Sequence, residues 1–485
     1  MQQENGHSVS RSAFLLLPVL ALAFYIAFIP HQSYAYPLHI DEWLNLARTE
    51  GLQNAGTIAY PNVLSGGAPL ELSSNMEINF QVFWAVFQRI TGLSWLTIFR
   101  FFPSVILMFT ALAAYVLTRR LGFGLEAAFF TCLIPTTVGI LGPAFLLPVS
   151  LALPFVLLAL FLAFYFQSWW SYLLIFVFTC FLVMLHPPSA VCLLLIVFPY
   201  ALLNLHKGGY LRCLGIVLAV LVPFLAPFPW IYNTVIDAAK NLFTPQPLPA
   251  YVDLPMIIKT YGYIPVTLGL FGTFVLAVRR GKENFGLVLG LLVVSLMLAV
   301  FYTYHYGLSI LYERGLLFML LLLGIVAGAG LAWIKDIGYN RWLAARTKNT
   351  RPFRYAGWLA CLALVGVTLF VSIPDHRQQP YYHMIDDTDY QAFVWIKDNL
   401  GPEYRKAAVD PWKATAFIAV TGKLVFSRIH EAATPNDEAV AAFLAGGCVD
   451  TKFLIDYKMS FVYTRGPCNN PDLVEVRDYV YVLKN

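Results

Sequence analysis

The chain has 485 residues, of which 59% are apolar and only 12% are charged, against about 25% charged in ordinary soluble proteins. With a mean hydropathy of +0.66, 38 Phe, 27 Tyr and 11 Trp, it excludes a soluble globular enzyme and predicts a polytopic α-helical membrane protein. The net charge of +5 is spread in short basic clusters between apolar segments, which excludes the continuous basic face of a nucleic-acid binder.

A membrane-spanning helix needs about 20 mostly apolar residues. Eleven segments qualify, near 13–30, 97–117, 125–142, 146–166, 171–186, 189–205, 213–231, 262–278, 285–304, 315–334 and 355–373. The first follows a short polar stretch and lacks a small-residue cleavage site, so it reads as a retained signal-anchor helix. Gly142-Pro143 and His186-Pro187-Pro188 join neighbouring spans in tight turns, because Pro ends a helix and pushes the residue before it to extended geometry.

Lys and Arg set the orientation. With Arg11 placed in the cytoplasm, the inner segments also hold Arg119, Arg120, Lys207, Arg212, Arg279, Arg280, Lys282, Lys335, Arg341, Arg346, Lys348, Arg351 and Arg354. The outer loops hold only Arg48, Arg89, Lys240, Lys259 and Arg314. An odd number of spans then puts the C-terminal tail outside the cytoplasm. The expected layout is a multi-pass cell-membrane domain over 1–373 and an extracytoplasmic domain over 374–485.

Two outer loops are long. The first, 31–96, contains Tyr36-Pro37-Leu38-His39-Ile40-Asp41-Glu42-Trp43, a turn at Gly66-Gly67-Ala68-Pro69, and an amphipathic stretch from Asn79 to Ile90 suited to lying flat on the lipid surface. The second, 232–261, carries Pro245, Pro247, Pro249 and Pro255 and is expected to be a structureless functional or mobile loop. In the tail, helices are expected over Asp387–Leu400, Trp412–Thr421 and Asn436–Ala445. Strands are expected over Lys406–Val409, Leu424–Ser427, Phe461–Thr464 and Tyr479–Leu483, giving a small α/β domain.

Of seven cysteines, Cys132, Cys180, Cys192, Cys213 and Cys361 lie in apolar segments and suit helix packing. Cys448 and Cys468 lie in the polar tail, where a disulfide can form if that tail is outside the cytoplasm.

Chemistry concentrates in the outer loops. Asp41 is either the N-cap of a helix through Trp43 to Leu52 or a base exposed to substrate. Glu42 would share a metal, orient Asp41 or face water. His39 stands two residues before Asp41, a spacing that suits a shared divalent metal (Mg or Mn) if the segment is extended. Arg314, at the outer start of a span, is a cation for phosphate or an interfacial partner of Glu313. His305 belongs to an interfacial aromatic cluster or to the phosphate site. His186 is a helix-end residue or a pocket wall, and Lys240 and Lys259 are solvated charge or anion attractors.

The run from His39 to Leu52, followed by Gly56 and Tyr60-Pro61, resembles the first external loop of GT-C glycosyltransferases. These integral membrane enzymes take sugars from polyprenyl-phosphate carriers. A surface helix ending at Thr91-Gly92-Leu93-Ser94 and a span ending at Tyr115 to Leu121 continue the likeness. The order is similar to that of archaeal and bacterial relatives of the oligosaccharyltransferase catalytic subunit and of protein O-mannosyltransferases. The resemblance implies Asp41 as base, Arg314 at the carrier phosphate, and a glycan, lipid or protein acceptor. The chain departs from the oligosaccharyltransferase pattern at Gly142-Pro143-Ala144, which has no acidic pair. It departs again at Val409-Asp410-Pro411-Trp412, which stands where that family has WWDYG. Two other classes remain open: a transporter or lipid flippase, and a non-catalytic scaffold. Neither internal repeats nor mid-span charges favour transport.

Overall fold

A computed structural model of the chain describes residues 6–62, 70, 75–137, 139–205, 209–249, 252, 254–337, 351–378, 381, 383–429 and 433–484. The expected turn at Gly66–Pro69 and the basic residues Lys207, Arg341, Arg346 and Lys348 lie outside the described residues. Packing divides the chain into two compact units, Met1–Ser33 with Arg100–Pro380 and Tyr34–Phe99 with Tyr381–Asn485. The first-loop segment, grouped by sequence with the spans, therefore packs with the tail.

The first unit is helical, and the protein is a multi-pass membrane protein. Among the described residues six helices are long and apolar enough to cross a membrane: Phe14–His31, Trp95–Arg119, Pro148–Tyr165, Lys282–Tyr304, Ser309–Lys335 and Tyr355–Gln378. The helix over 254–261 meets the one over 263–278 at a bend of 92°, where Gly262 takes φ +101°, and the pair forms a broken span or a re-entrant loop. Three shorter apolar helices, Trp169–Leu185, Pro187–Leu203 and Tyr210–Leu225, complete the set.

These match ten of the eleven expected segments; 125–142 is the exception. Only Gly124–Cys132 is helical there, and residues 133–137 and 139–147 run without regular structure. Pro135-Thr136-Thr137 breaks the helix, and Gly142 sits so close to the Pro135 carbonyl that a Cβ would overlap it. This stretch is mostly buried in protein and satisfies its backbone locally. The Thr136 hydroxyl accepts the Ala144 N–H at 2.9 Å, and Ser150 Oγ donates to the Gly142 carbonyl at 3.1 Å. Irregular backbone at membrane depth is stable only when covered in this way. The expected loop 232–261 is also corrected. It contains helices over Phe228–Asn241 and Leu254–Tyr261, with the prolines at 245, 247 and 249 between them and Pro255 in the first turn of the second.

The helix Ser309–Lys335 is the centre of this unit, with 83% of its apolar window buried against 22% for Tyr355–Gln378. It reaches its neighbours through glycine. A Cβ at Gly272 would fall inside the Val326 carbonyl, and one at Gly328 would overlap the Ala127 backbone. Small residues let helices touch backbone to backbone where lipid supplies no hydrophobic drive for association. Arg212 donates to the Ala163 and Phe164 carbonyls at 2.9 and 2.8 Å and to Tyr200 Oη at 2.7 Å, closing the C-terminal end of 148–165. Lys335 pairs with Glu126.

The second unit combines the tail with two first-loop helices, α1 (Ile40–Ala55) and α2 (Ile78–Thr91). Both end on a glycine in the left-handed region, Gly56 at φ +66° and Gly92 at φ +67°. Helix α2 buries Phe80, Gln81 and Trp84 and exposes Phe83, Val86 and Ile90. Tyr60, Asn75 and Gln81 bond to one another at 2.7–3.2 Å and fasten the loop to α2.

The tail adds α3 (Asp387–Asn399), α4 (Ala414–Thr421), α5 (Pro435–Ala445) and the short α6 (Thr451–Asp456). Its strands are β1 (Lys406–Val409), β2 (Leu424–Val425), β3 (Phe461–Tyr463), β4 (Leu473–Arg477) and β5 (Val480–Leu483), ordered β2-β1-β3-β5-β4. β1 pairs parallel with both β2 and β3, and β5 runs antiparallel to β3 and β4. The expected α/β domain is present; the edge strand β4 and helix α6 are additions. Cys448 and Cys468 are joined in a disulfide. Tyr34 Oη donates to the Ile385 carbonyl at 2.8 Å and Tyr36 Oη to Asp387 Oδ1 at 2.7 Å, tying the first loop to the start of α3.

Candidate active site

Asp41 and Glu42 are adjacent in sequence but have different surroundings. The N-cap of α1 is His39, in extended geometry at φ −129° and ψ 150°, and not Asp41. His39 Nδ1 accepts the Asp41 N–H at 3.1 Å. Glu42 closes the other half of a capping box. Its side chain is fully buried, and Oε2 accepts the Leu38 N–H at 2.6 Å and the His39 N–H at 3.0 Å. Backbone donors at a helix start would otherwise lack partners. Asp41 is outside this box, with its side chain 27% exposed and Oδ2 3.6 Å from His39 Nδ1. One carboxylate therefore holds the helix and the other stands partly exposed.

His39 Nδ1 is engaged by the Asp41 N–H, and Glu42 Oε2 by two more backbone N–H groups. Among the described residues no group of three or more His, Cys, Asp or Glu is placed to hold a metal ion.

Asp41, Asn45 and Arg48 fall at i, i+4 and i+7 on one face of α1. Helix α1 packs on α2 and on α4. On these elements and the segment after β2, Asn45 Oδ1, Arg48 Nε, Thr415 Oγ1 and Arg428 Nη1 are buried without a hydrogen-bond partner. The Ile429 N–H donates to the Pro411 carbonyl at 3.2 Å, which holds Arg428 beside the turn that starts α4. Burial draws the Arg428 guanidinium below its usual pKa. Nearby Arg48 adds to this, and Asp41 and Asp437 oppose it. The sequence reading singled out neither arginine. The i+7 spacing from Asp41 was the available signal for Arg48, and Arg428 had none.

A second feature lies at the carboxyl ends of β1 and β3. The chain leaves β1 to one side for β2 and returns on the other side for β3, so the sheet has a switch point between these strands. A cleft of about 320 Å³ opens there, lined in part by Asp410, Lys413, Thr464 and Arg465. Behind it, buried Asp389 accepts hydrogen bonds from Lys413 Nζ at 2.9 Å and Tyr463 Oη at 2.6 Å and forms an ion pair with Arg465 Nε at 3.1 Å. Arg465 also pairs with Asp386, and this bond holds the Asp386 carboxyl down at about 2.

In the first unit, His186 is the buried N-cap of the helix Pro187–Leu203, with Nδ1 2.7 Å from Ser189 Oγ. It lies within electrostatic reach of Arg314. Arg314 Nη1 is 3.9 Å from Glu313 Oε2, and its Nε is buried without a hydrogen-bond partner. His305 caps the helix Lys282–Tyr304 in the left-handed region at φ +61°, and its carbonyl accepts the Gln246 N–H at 2.8 Å. Lys240 pairs with Asp237 at 3.1 Å, and Lys259 is exposed. The structure thus brings His186 to Arg314 and gives His305 a backbone role.

No protein-family model matches this chain, and no curated protein does. Solved structures do. The oligosaccharyltransferase AglB of Archaeoglobus fulgidus, in complex with an inhibitory peptide and a dolichol-phosphate, aligns at TM-score 0.62 and 10% identity, covering 94% of this chain and 70% of that one. ArnT of Cupriavidus metallidurans aligns at TM-score 0.57 and 12% identity, covering 99% and 98%. The mycobacterial arabinofuranosyltransferase AftD aligns at TM-score 0.57 and 16% identity, covering 97% and 40%. All three are GT-C glycosyltransferases, and at these identities the likeness is one of fold.

Proposed function

We propose that this chain, which has the GT-C fold, is a glycosyltransferase moving a sugar from a polyprenyl-phosphate or diphosphate carrier to an acceptor at the extracytoplasmic face. The observation that carries the reading is the division of labour at the start of α1. Glu42 is consumed by the capping box, while Asp41 stands clear of it and partly exposed.

In the proposed reaction Asp41 takes the proton from the acceptor's hydroxyl or amide, and the acceptor atom bonds to the anomeric carbon. The bond from that carbon to the carrier phosphate breaks with inversion, and the phosphate leaves with the electron pair. A phosphate is a good leaving group, so the demand falls on a base and on cations rather than on an acid. The disulfide and the basic inner segments support an N-terminus in the cytoplasm and a tail outside it. The cleft at the ends of β1 and β3 is the acceptor-side candidate within the tail. Arg314 and His305 belong to the other unit; Arg314's assignment to the carrier phosphate rests on the sequence resemblance, and His305's on its place in the outer aromatic run Tyr302 to Tyr306.

The test supplies purified protein in lipid with labelled polyprenyl-phosphate sugars and a membrane extract as acceptor source. Wild type is expected to move label to a new product, and Asp41→Asn to lose that activity while remaining folded. A variant as active as wild type would remove Asp41 from the reaction. Chelation asks separately about a divalent ion: dependence on Mg or Mn would show as turnover lost in EDTA and restored by the ion.

A further inference from the structure

The Asp41 side chain has no hydrogen bond of its own to aim it among the described residues. Its ion-pair partner is His39 Nδ1 at 3.6 Å, and the capping box of α1 closes without it. Its direction is therefore inherited from the backbone at the start of α1, and so from whatever holds the segment that enters that helix. Two buried tyrosines hold it. Tyr34 Oη donates to the Ile385 carbonyl at 2.8 Å, and its ring stacks on His383 with centroids 4.2 Å apart. Tyr36, five residues before Asp41, donates through Oη to Asp387 Oδ1 at 2.7 Å. Both lean on the first turn of α3 and the residues leading into it. Asp389 is the key of that turn. Its carboxylate, 1% exposed, accepts hydrogen bonds from the Asp386 N–H at 3.1 Å, Tyr463 Oη at 2.6 Å and Lys413 Nζ at 2.9 and 3.0 Å, and it pairs with Arg465. A capping box asks only the first of these bonds of its acid, and burying the charge with two cations carries a desolvation cost that helix capping does not require. Lys413 is the N-cap of α4, and α4 packs on α1. One carboxylate thus reaches α1 by two routes, through Tyr36 at its entry and through α4 along its side.

We propose that Asp389 is a positioning residue for Asp41, acting through Tyr36 and Lys413 to fix where α1 starts and therefore where the base stands. Its catalytic consequence rests on the transferase reading; the mechanical link does not. A displacement of about 1 Å in a reacting group costs on the order of 10²-fold in rate. A base aimed by its backbone alone is exposed to that loss whenever the backbone's supports loosen. The loss falls on the proton-transfer step and leaves binding of the carrier as it was, so it appears in kcat and not in KM.

The test measures label transfer by the purified full chain in lipid, well below the melting temperature of every variant. Tyr36→Phe deletes one hydroxyl and keeps the ring; Asp389→Asn removes the charge that Lys413 and Arg465 pair with. The first should lower kcat about tenfold and the second about 10²-fold, each at an unchanged KM for the carrier. Tyr60→Phe deletes another buried hydroxyl bond of the same unit, to Gln81, and should leave kcat as it is. In an Asp41→Asn background, Tyr36→Phe should not lower the residual rate further, because no base is left to aim. A merely structural role would lower both backgrounds alike. Equal losses in the two backgrounds overturn the proposal, and so does a Tyr36→Phe variant as fast as wild type. Where Asp389→Asn does not fold, Tyr36→Phe carries the comparison alone. Hydrogen exchange reads the link without turnover: the first-turn amides of α1 should exchange faster in Tyr36→Phe than in wild type, and not in Tyr60→Phe. Wild type that moves no sugar while showing this difference would count against the transferase reading and leave the link standing. Exchange left unchanged by Tyr36→Phe would overturn the link itself.

Discussion

Replacing Glu42 and Asp41 separately should give opposite results. Glu42→Ala removes the acceptor of two buried backbone donors, the N–H groups of Leu38 and His39. Each buried donor left without a partner costs about 1–3 kcal/mol, so the start of α1 should lose about 2–6 kcal/mol. Both bonds fall on Oε2, so Glu42→Gln can keep an oxygen in place and lose mainly the charge, at about 1 kcal/mol. Asp41→Asn breaks no side-chain hydrogen bond of the capping box and should shift stability by no more than about 0.5 kcal/mol. Its effect should be on transfer, a loss of about 10²–10⁴-fold if Asp41 is the base. The assay pairs melting temperature with the initial rate of label transfer for all three variants. If Glu42→Gln abolishes transfer at an unchanged melting temperature, Glu42 takes part in chemistry and the division between the two carboxylates is wrong.

Other perturbations reach other parts of the structure. Gly272→Leu drives a side chain into the Val326 carbonyl, which cannot rotate away, and should cost about 1–3 kcal/mol by thermal melting. Gly366→Ala, with open space at its Cβ position, is the control and should be neutral or slightly stabilising. Asp386 is held at about 2 by Arg465, below its unfolded value, so its contribution is present above about pH 4 and lost as pH falls towards 2. Hydrogen exchange in α3 should rise across that window in wild type and show a weaker dependence in Arg465→Gln. Reducing the disulfide between Cys448 and Cys468, which are 20 residues apart, should destabilise the tail by about 3 kcal/mol. Membrane-impermeant thiol reagent should label Cys468 in reduced intact cells if the tail is outside.

The sequence displayed what depends on local pattern. The apolar spans, the glycine ends of α1 and α2, and the tail's parallel strands follow from residue periodicity and turn chemistry. What it hid depends on tertiary partners. Residues 125–142 read as a span because they are apolar throughout, yet burial in protein, rather than lipid, lets Pro135 and Gly142 interrupt them. Strand β4 was missed because Val474, Glu475 and Val476 are all exposed, so alternation has no buried face to report. At the site, Asp41 and Glu42 were visible as a pair, but which one serves the backbone is decided by the extended geometry at His39. Arg428 lies hundreds of residues from Asp41, and only the fold brings them within reach.

The bonds from Tyr34 to Ile385 and from Tyr36 to Asp387 each join residues 351 positions apart. A growing chain makes α1 early and must hold it unfinished until the last span has been inserted and the tail has emerged. Contacts at such separation form late and slowly, because a long loop must close before they return any energy. The unit that carries Asp41 is thus completed only after the tail has been made. Chains stalled or cut before residue 381 would carry every predicted span and still lack α4, one of the two helices that α1 packs on.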